Sequence, residues 1–154
     1  MNDSFMRKAI ELSVKNVANG GGPFGAVIAK GNEVIATGVN SVTTDNDPTA
    51  HAEVNAIRSA CSKLGTFDLS GCTIYSSCEP CPMCLSAIYW AHLDKLVYAN
   101  TKEDANAIGF SDQFIYEELE LKPEKRKLPS ENKLRDEAMV AFKAWDEKED
   151  KITY

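Results

Sequence analysis

Residues 72–91 decide the fold, and they read CTIYSSCEPCPMCLSAIYWA. The run begins with β-favouring residues from Cys72 to Ser77 and then reaches a corner at Glu79 and Pro80. Apolar side chains recur at helical spacing over the rest of the run. This stretch therefore predicts a strand, a sharp corner and a helix, which is a building unit of an α/β fold.

Outward from this unit, the hydrophobic pattern predicts the remaining elements. Helices are expected at residues 4–18, 50–64, 111–121 and 130–148, and strands at 24–29, 33–39 and 95–99. The turn residues 30–32 make the first two strands a hairpin, and the polar residues 41–48 predict a loop. A hairpin followed by alternating strands and helices predicts a mixed sheet covered on both faces. We therefore expect one domain with the architecture of a three-layer α/β/α sandwich.

Composition and charge narrow the class of protein. The chain has 154 residues, with 17 basic and 23 acidic side chains and a net charge of -6. Proteins that bind a long polyanion usually carry a basic excess, so a small substrate is favoured over a nucleic acid. No apolar run approaches the roughly 18 residues of a membrane span, and residues 1–15 contain no apolar block of signal-peptide type. We expect a cytoplasmic protein with neither nucleic-acid nor membrane partners.

The cysteines indicate a metal or redox site. Their number, five, is odd, which argues against a disulfide framework. Cys78, Cys81 and Cys84 lie within seven residues of one another, whereas Cys61 and Cys72 fit the small apolar residues of a core.

Two short motifs supply ligands for a metal ion. His51 and Glu53 begin one predicted helix, and Cys81 and Cys84 begin another. Because the two cysteines are three residues apart, one helical turn places their sulfurs on the same side. One imidazole and two thiolates leave the fourth tetrahedral position open, as in catalytic zinc sites. Glu53 can enter the same pocket as a proton carrier without ligating the metal.

Other interpretations of these motifs remain open. Cys-x-x-Cys at a strand-to-helix corner also occurs in thioredoxin-like redox sites, although that assignment leaves His51 and Glu53 unexplained. Three cysteines spaced by three resemble part of an iron–sulfur motif that lacks its fourth ligand. A structural zinc site is a further alternative, with Cys78 as the fourth ligand. His92, at the end of a predicted helix, is interpreted as a structural residue.

The motifs resemble those of a known family. His-x-Glu followed by Pro-Cys-x-x-Cys is the signature of zinc-dependent deaminases. The likeness to the bacterial guanine deaminases of the cytidine/deoxycytidylate deaminase superfamily goes further. It is carried by GPFGAV at 22–27, DPTAHAE at 47–53, SCEPCPMC at 77–84, AIYWA at 87–91, GFSDQFIY at 109–116 and the final Tyr154. It covers nearly the whole chain but is weak from Leu121 to about Ala141.

The resemblance implies a fold, a reaction and a set of site residues. The fold would be cytidine-deaminase-like, with a mixed sheet of about five strands, and the reaction the deamination of guanine to xanthine and ammonia. One Zn²⁺ per subunit would be held by His51, Cys81 and Cys84, and Glu53 would move protons. The resemblance implies five substrate contacts, from Phe24, Asn40, Ala52, Trp90 and Tyr154, and a second catalytic acid, Asp112. It also implies a homodimer that swaps its C-terminal segment, about residues 130–154.

Each implied role has an ordinary structural alternative. Phe24 and Trp90 fit core aromatics, and Asn40 fits a turn at a strand end. Asp112 fits an acid in the first turn of a helix, where the helix dipole favours it, and Tyr154 fits a frayed terminus. Alternative substrates are the adenosine of a tRNA, cytosine or cytidine, and an amino-triazine. A structural zinc module is the alternative without catalysis.

Overall fold

Residues 3–154 are described by a computed structural model, which contains the helices and strands that the sequence predicts together with two further short helices. The strands are β1 (Gly25–Lys30), β2 (Glu33–Val39), β3 (Thr73–Cys78) and β4 (Lys95–Asn100). The helices are α1 (Ser4–Ala18), α2 (Val42–Asp45), α3 (Ala52–Leu64), α4 (Pro82–Trp90), α5 (Lys102–Ala107), α6 (Gln113–Glu120) and α7 (Arg135–Glu147). Within this part of the chain, no helix is both long and apolar enough to cross a membrane.

The strands form a mixed sheet in the order β2-β1-β3-β4. β1 runs antiparallel to β2 and to β3, and β3 runs parallel to β4. The prediction of a mixed sheet in an α/β fold is confirmed. The prediction of about five strands is wrong, because the sheet of residues 3–154 has four.

The capping box at the end of β4 explains why no strand directly follows it. The side chain of Thr101 accepts a hydrogen bond from the Asp104 amide, and the Asp104 carboxylate accepts one from the Thr101 amide at 2.8 Å. This reciprocal pair satisfies the first free amides of a helix and favours helix formation at once. The chain therefore enters α5 directly after β4. The short helix α2 is a second difference, since residues 41–48 were predicted as a loop.

The central strand β1 is buried on both faces, which places helices on both sides of the sheet. Ala26 and Ile28 pack in one apolar cluster with residues of α3 and α4, and Val27 and Ala29 pack in another with residues of α1. The alternation follows from the two-residue period of a strand. The three layers of the predicted sandwich are thus present around this strand.

Small residues let α3 lie directly on β2 and fix the start of that helix. A side chain at Gly38 would collide with the carbonyl oxygen of Ala52 and the backbone of Ala56. Asn55 then ties the first turn of α3 to the end of β2, donating from Nδ2 to the Val39 carbonyl oxygen at 2.8 Å and to Ser41 Oγ at 3.0 Å. These contacts hold the N-terminus of α3, where His51 and Glu53 lie, against the sheet.

The chain divides into two compact units, one extending to Gln113 and the other comprising Phe114–Tyr154. The second unit contains most of α6, a 3₁₀ turn at Pro123–Lys125, and α7. Within it, the Arg126 side chain donates from Nε to the Glu118 carbonyl oxygen at 3.1 Å, and the Lys127 amide donates to the Glu118 carboxylate at 2.7 Å. The two predicted C-terminal helices are present, each shorter than its hydrophobic pattern suggested.

Candidate metal centre and active site

Two helix N-termini bring the three predicted metal ligands together. His51 is the residue before α3, Cys81 is the residue before α4, and Cys84 lies in the first turn of α4. His51 Nδ1 lies 3.5 Å from Cys81 Sγ and 3.4 Å from Cys84 Sγ. All the ligand atoms of the three lie within 4.8 Å of one another. Residues from two separate parts of the sequence therefore form one cluster.

Local sequence explains the position of the cysteine loop. Pro82 occupies the first position of α4, where its fixed φ and missing amide hydrogen suit a helix start. Glu79 anchors the loop on the other side. Its amide donates to the Asn100 carbonyl oxygen at 2.8 Å, and its carboxylate accepts from the Lys102 amide at 2.8 Å. The loop is therefore held between the end of β4 and the start of α5.

The cluster fits a zinc ion. Ligand atoms of a tetrahedral zinc ion, with Zn–S and Zn–N bonds of about 2.3 and 2.1 Å, lie about 3.6 Å apart. The distances of 3.5 and 3.4 Å from His51 Nδ1 to the two sulfurs match this spacing. Three ligands of the soft and borderline types that zinc prefers leave one coordination position for solvent or substrate. The arrangement is that of a catalytic zinc site.

Electrostatics prepare the cluster for a cation. A hydrogen bond from Cys84 and another from His51 lower the pKa of Cys81 to about 4, against the opposing effect of burial. The same thiol–thiolate hydrogen bond, together with burial, raises the pKa of Cys84. The hydrogen bond to Cys81 raises the pKa of His51. These hydrogen bonds favour the thiolate form of Cys81, and the positive ends of two helix dipoles act in the same direction.

Glu53 lies beside the cluster but is not one of the three metal ligands found among the described residues. Its side chain is only 6% exposed, and Ser76 Oγ donates to its Oε1 at 2.9 Å. Burial raises the pKa of the Glu53 carboxyl, while hydrogen bonds from its own amide, Ser76 and Cys84 act in the opposite direction. A buried carboxyl with a raised pKa next to a metal site suits proton transfer near neutral pH.

Asp112 is the second predicted acid, and it immediately precedes α6. It is half-buried, and burial raises the pKa of its carboxyl, with the negative charge of Cys81 adding to the effect. Asp112 thus belongs to the first unit, and burial and the charge of Cys81 both favour its protonated form.

The predicted substrate contacts Phe24, Asn40 and Ala52 also lie in the first unit. The Asn40 amide donates to the Phe24 carbonyl oxygen at 3.2 Å, so these residues adjoin where β1 begins and β2 ends. Asn40 Oδ1 accepts from the Val42 amide at 3.2 Å. Ala52 is fully buried in the first turn of α3.

Trp90 lies at the C-terminal end of α4, and Tyr154 lies at the end of the second compact unit. Trp90 is the last residue of α4, six residues beyond Cys84 and hence about 9 Å further along the helix axis. Tyr154 belongs to the second compact unit. Within the first unit, the structure brings the three ligands together with Glu53 beside them.

Sequence reasoning missed three residues that support the site. Ser76 contacts Glu53, and Glu79 anchors the cysteine loop. Phe110 packs edge-on against Phe24, with ring centroids 5.0 Å apart and an interplanar angle of 86°. A serine at a core-facing strand position was a signal that could have identified Ser76. The pairings of Glu79 and Phe110 depend on tertiary contacts that no local pattern reveals.

The structure distinguishes between the alternative roles of Cys78 and His92. Cys78 donates from Sγ to the Thr101 carbonyl oxygen at 3.6 Å, and burial raises the pKa of its thiol to about 11. It lies outside the metal-ligand group of residues 3–154, so the three-ligand arrangement is favoured over a closed structural site. His92 has a φ of 57° in the exposed turn after α4, consistent with a structural role.

The fold and the site define the class of protein, a zinc-binding deaminase, and comparisons with known proteins agree. The family model for the cytidine and deoxycytidylate deaminase zinc-binding region matches residues 1–100. The chain belongs to this family. Its metal is therefore zinc, held by the cluster of His51, Cys81 and Cys84.

Individual proteins of known activity show which deaminases the chain resembles. The guanine deaminase of Bacillus subtilis (strain 168) is 50% identical over 144 residues, which cover 93% of this chain and 92% of the relative. A crystal structure of the guanine deaminase from Bacillus subtilis matches with a TM-score of 0.96 and 49% identity, covering 100% of this chain and 99% of that one. The tRNA-specific adenosine deaminase of Bacillus subtilis (strain 168) is 35% identical, covering 74% of this chain and 71% of the relative.

Proposed function

We propose that the protein catalyses the zinc-dependent hydrolytic deamination of guanine to xanthine and ammonia. The observation that carries this proposal is the buried carboxyl of Glu53 beside a three-ligand zinc site with one open position. The likeness to a guanine deaminase extends over nearly the whole of both chains, whereas the likeness to the tRNA enzyme covers about three quarters. The net charge of -6 also favours a free base over an RNA.

Proton transfer by Glu53 is the central step of the proposed mechanism. When bound, zinc acts as a Lewis acid that makes a water molecule a stronger nucleophile at neutral pH. Glu53 accepts a proton from that water and donates it to a ring nitrogen beside the aminated carbon of guanine. Addition of the water oxygen makes that carbon tetrahedral. The carbon–nitrogen bond then breaks while the proton of the added hydroxyl group passes to the departing amine. The amine leaves as ammonia, and the carbon becomes the carbonyl of xanthine.

Asp112 is proposed to assist departure of the amine. Its half-buried carboxyl, with a raised pKa, can bind the exocyclic amine and return a proton to it. The influence of Cys81 on Asp112 supports a position on the same side of the pocket as the metal cluster.

Three residues are proposed to hold the purine ring. Asn40 offers an amide side chain that can both donate and accept hydrogen bonds, as the edge of guanine requires. Phe24 offers an aromatic face to the ring, and its edge-on contact with Phe110 braces it. The backbone of Ala52 would contact the substrate close to the metal. The backbone hydrogen bond between Asn40 and Phe24 supports a shared pocket.

We also propose that the chain forms a single deaminase domain and assembles as a homodimer. The two subunits would exchange their C-terminal segments, about residues 130–154. Trp90 and Tyr154 would then help to close a pocket, with Tyr154 reaching the partner's site. Large apolar side chains on α7 support this proposal, since Val140 is 70% and Phe142 72% exposed in the isolated chain. Met139, three residues before Phe142 and therefore on the same side of the helix, adds to this exposed apolar surface, which suits contact with a partner. Light scattering should give twice the chain mass of 16.9 kDa, and a monomeric mass would contradict the proposal.

A cytoplasmic location is proposed from the state of the cysteines. None of the five forms a disulfide bond in the part of the chain that the structure describes, which fits a reducing compartment. Fractionation of cells that express the full chain should recover it with cytosolic markers, and recovery in an oxidising compartment would contradict this.

Ammonia release from a panel of substrates tests the assignment of guanine. Zinc-loaded protein should deaminate guanine with a kcat/KM at least about 100-fold above that for cytosine, cytidine, adenosine or an anticodon-loop RNA, because a pocket built for one hydrogen-bonding edge rejects others. An apo sample prepared with a chelator is the control for zinc dependence. Preferential deamination of the RNA, with a strong salt dependence, would instead support a tRNA deaminase.

A further inference from the structure

Ser76 is a buried polar residue at a position that the strand pattern assigns to the core. Side chains alternate along β3, so Ser76 shares a face with Ile74. Ile74 packs in the apolar cluster that includes Ala52 and Ala56 of α3. Ser76 itself is only 2% exposed. An aliphatic residue would suit this face, and a hydroxyl is costly there unless it has a hydrogen-bond partner.

The partner of this hydroxyl is the carboxylate of Glu53. Ser76 Oγ donates to Glu53 Oε1 at 2.9 Å, and both side chains are buried. β3 pairs with β1 on one side and with β4 on the other, with Ser76 opposite Ala26 and Tyr98. The donor therefore stands on an internal strand of the sheet, which is a rigid support for a long and flexible glutamate side chain.

The hydrogen bond also joins two separate parts of the active site. Glu53 belongs to α3, whose N-terminus carries His51, and β3 leads directly into the loop that carries Cys81. The negative charge of Cys81 acts on the Glu53 carboxyl, so this carboxyl lies close to the metal cluster as well as to the fixed hydroxyl on the sheet.

We propose that Ser76 is a positioning residue for Glu53, whose hydroxyl holds Oε1 so that the other carboxylate oxygen carries the proton between water and the base. The inference rests on the proposed function, because it assigns a task to Glu53 in that reaction. The proton of Ser76 stays on its oxygen throughout. The transferred proton passes from water to the free carboxylate oxygen and then to the ring nitrogen, so Glu53 ends each cycle as it began.

The variant Ser76→Ala tests this role. It should lower kcat for guanine about 10- to 100-fold, as expected for loss of a hydrogen bond to a charged group. KM should change less than about twofold, and one zinc ion per chain should remain. Ser13→Ala is the matched control, since Ser13 is also buried and donates from Oγ to the Ile10 carbonyl oxygen at 2.7 Å within α1. That control should keep the wild-type kcat.

A double-variant comparison distinguishes positioning from a general loss of packing. In a Glu53→Ala background, Ser76→Ala should lower kcat less than about twofold further, because its partner is already gone. A wild-type kcat for Ser76→Ala would overturn the inference, as would an equal loss of kcat in both backgrounds.

Different results would overturn the proposed function and the role of Ser76. A wild-type chain that releases no ammonia from guanine would overturn the proposed function, and the variants would then be compared on whichever base the chain deaminates. A crystal structure of Ser76→Ala tests the inference without any activity. The Glu53 carboxylate should turn away from its native position, and an unchanged carboxylate would overturn the inference.

Discussion

Glu53→Gln is expected to lower kcat for guanine by about 100- to 10,000-fold, the usual contribution of a positioned general acid–base group. Glutamine keeps the shape of the side chain and an oxygen that can accept from Ser76, but it cannot carry the proton. The zinc content should stay at one ion per chain because Glu53 lies outside the ligand group found among the described residues. Steady-state kinetics and elemental analysis of the same preparation measure both effects.

A matched control for this variant is Glu33→Gln, in which an exposed glutamate at the start of β2 undergoes the same change. It should retain the wild-type kcat and zinc content. Loss of zinc in Glu53→Gln would contradict the assignment of Glu53 as a proton carrier, since only a ligand should affect metal content so directly. A kcat near the wild-type value would contradict its role in the reaction.

Cys84→Ala is expected to abolish zinc binding and, with it, activity. The Cys84 side chain is fully buried, and the variant removes one of three protein ligands. Zinc content should fall from one ion per chain to below about 0.1 after dialysis, and kcat/KM by at least about 1,000-fold, because two remaining ligands bind zinc weakly. Elemental analysis and ammonia release, before and after added zinc, measure both quantities.

Cys61→Ala is the control for the cysteine variant. Cys61 is a free thiol of α3 that packs against the apolar core and lies outside the ligand cluster. It should keep its zinc and its activity, and a chelated wild-type sample should recover activity when zinc is returned. Full zinc occupancy in Cys84→Ala would contradict the three-ligand site.

The reaction chemistry follows from how two helices begin. His51 and Glu53 come from the N-terminus of α3, and Cys81 and Cys84 from that of α4. Both helix dipoles present their positive ends to the cluster, which stabilises thiolates and any negative charge that develops on the attacking oxygen. Two contacts hold the N-termini of these helices in place. α3 lies close against β2 at Gly38, and Glu79 anchors the cysteine loop that precedes α4.

Much of this site was predictable because several of its residues lie close together in the sequence. The three-residue separation of Cys81 and Cys84 is one turn of a helix, and Pro82 marks where that helix begins. The pairing of His51 with the cysteines was inferred from the types of ligand and from the deaminase signature that joins the two motifs. The strand and helix order was predictable for the same reason, since each element carries its own hydrophobic period.

The remaining features depend on contacts between distant residues or on an overlooked local signal. The expected fifth strand came from a family resemblance, whereas the capping box of Thr101 and Asp104 in this chain starts a helix after β4. That box is a local signal that the hydrophobic pattern does not register. Ser76 and Glu53 are 23 residues apart, so their hydrogen bond emerges only when the sheet and α3 pack together.

Product analysis is the sharpest test of whether this chain is a zinc-dependent enzyme that acts on free guanine. Zinc-replete wild-type protein should convert guanine to xanthine with one ammonia released for each xanthine formed. The chelated protein should form neither product until zinc is restored. Protein that carries one zinc ion per chain and yet forms no xanthine from guanine would contradict the account.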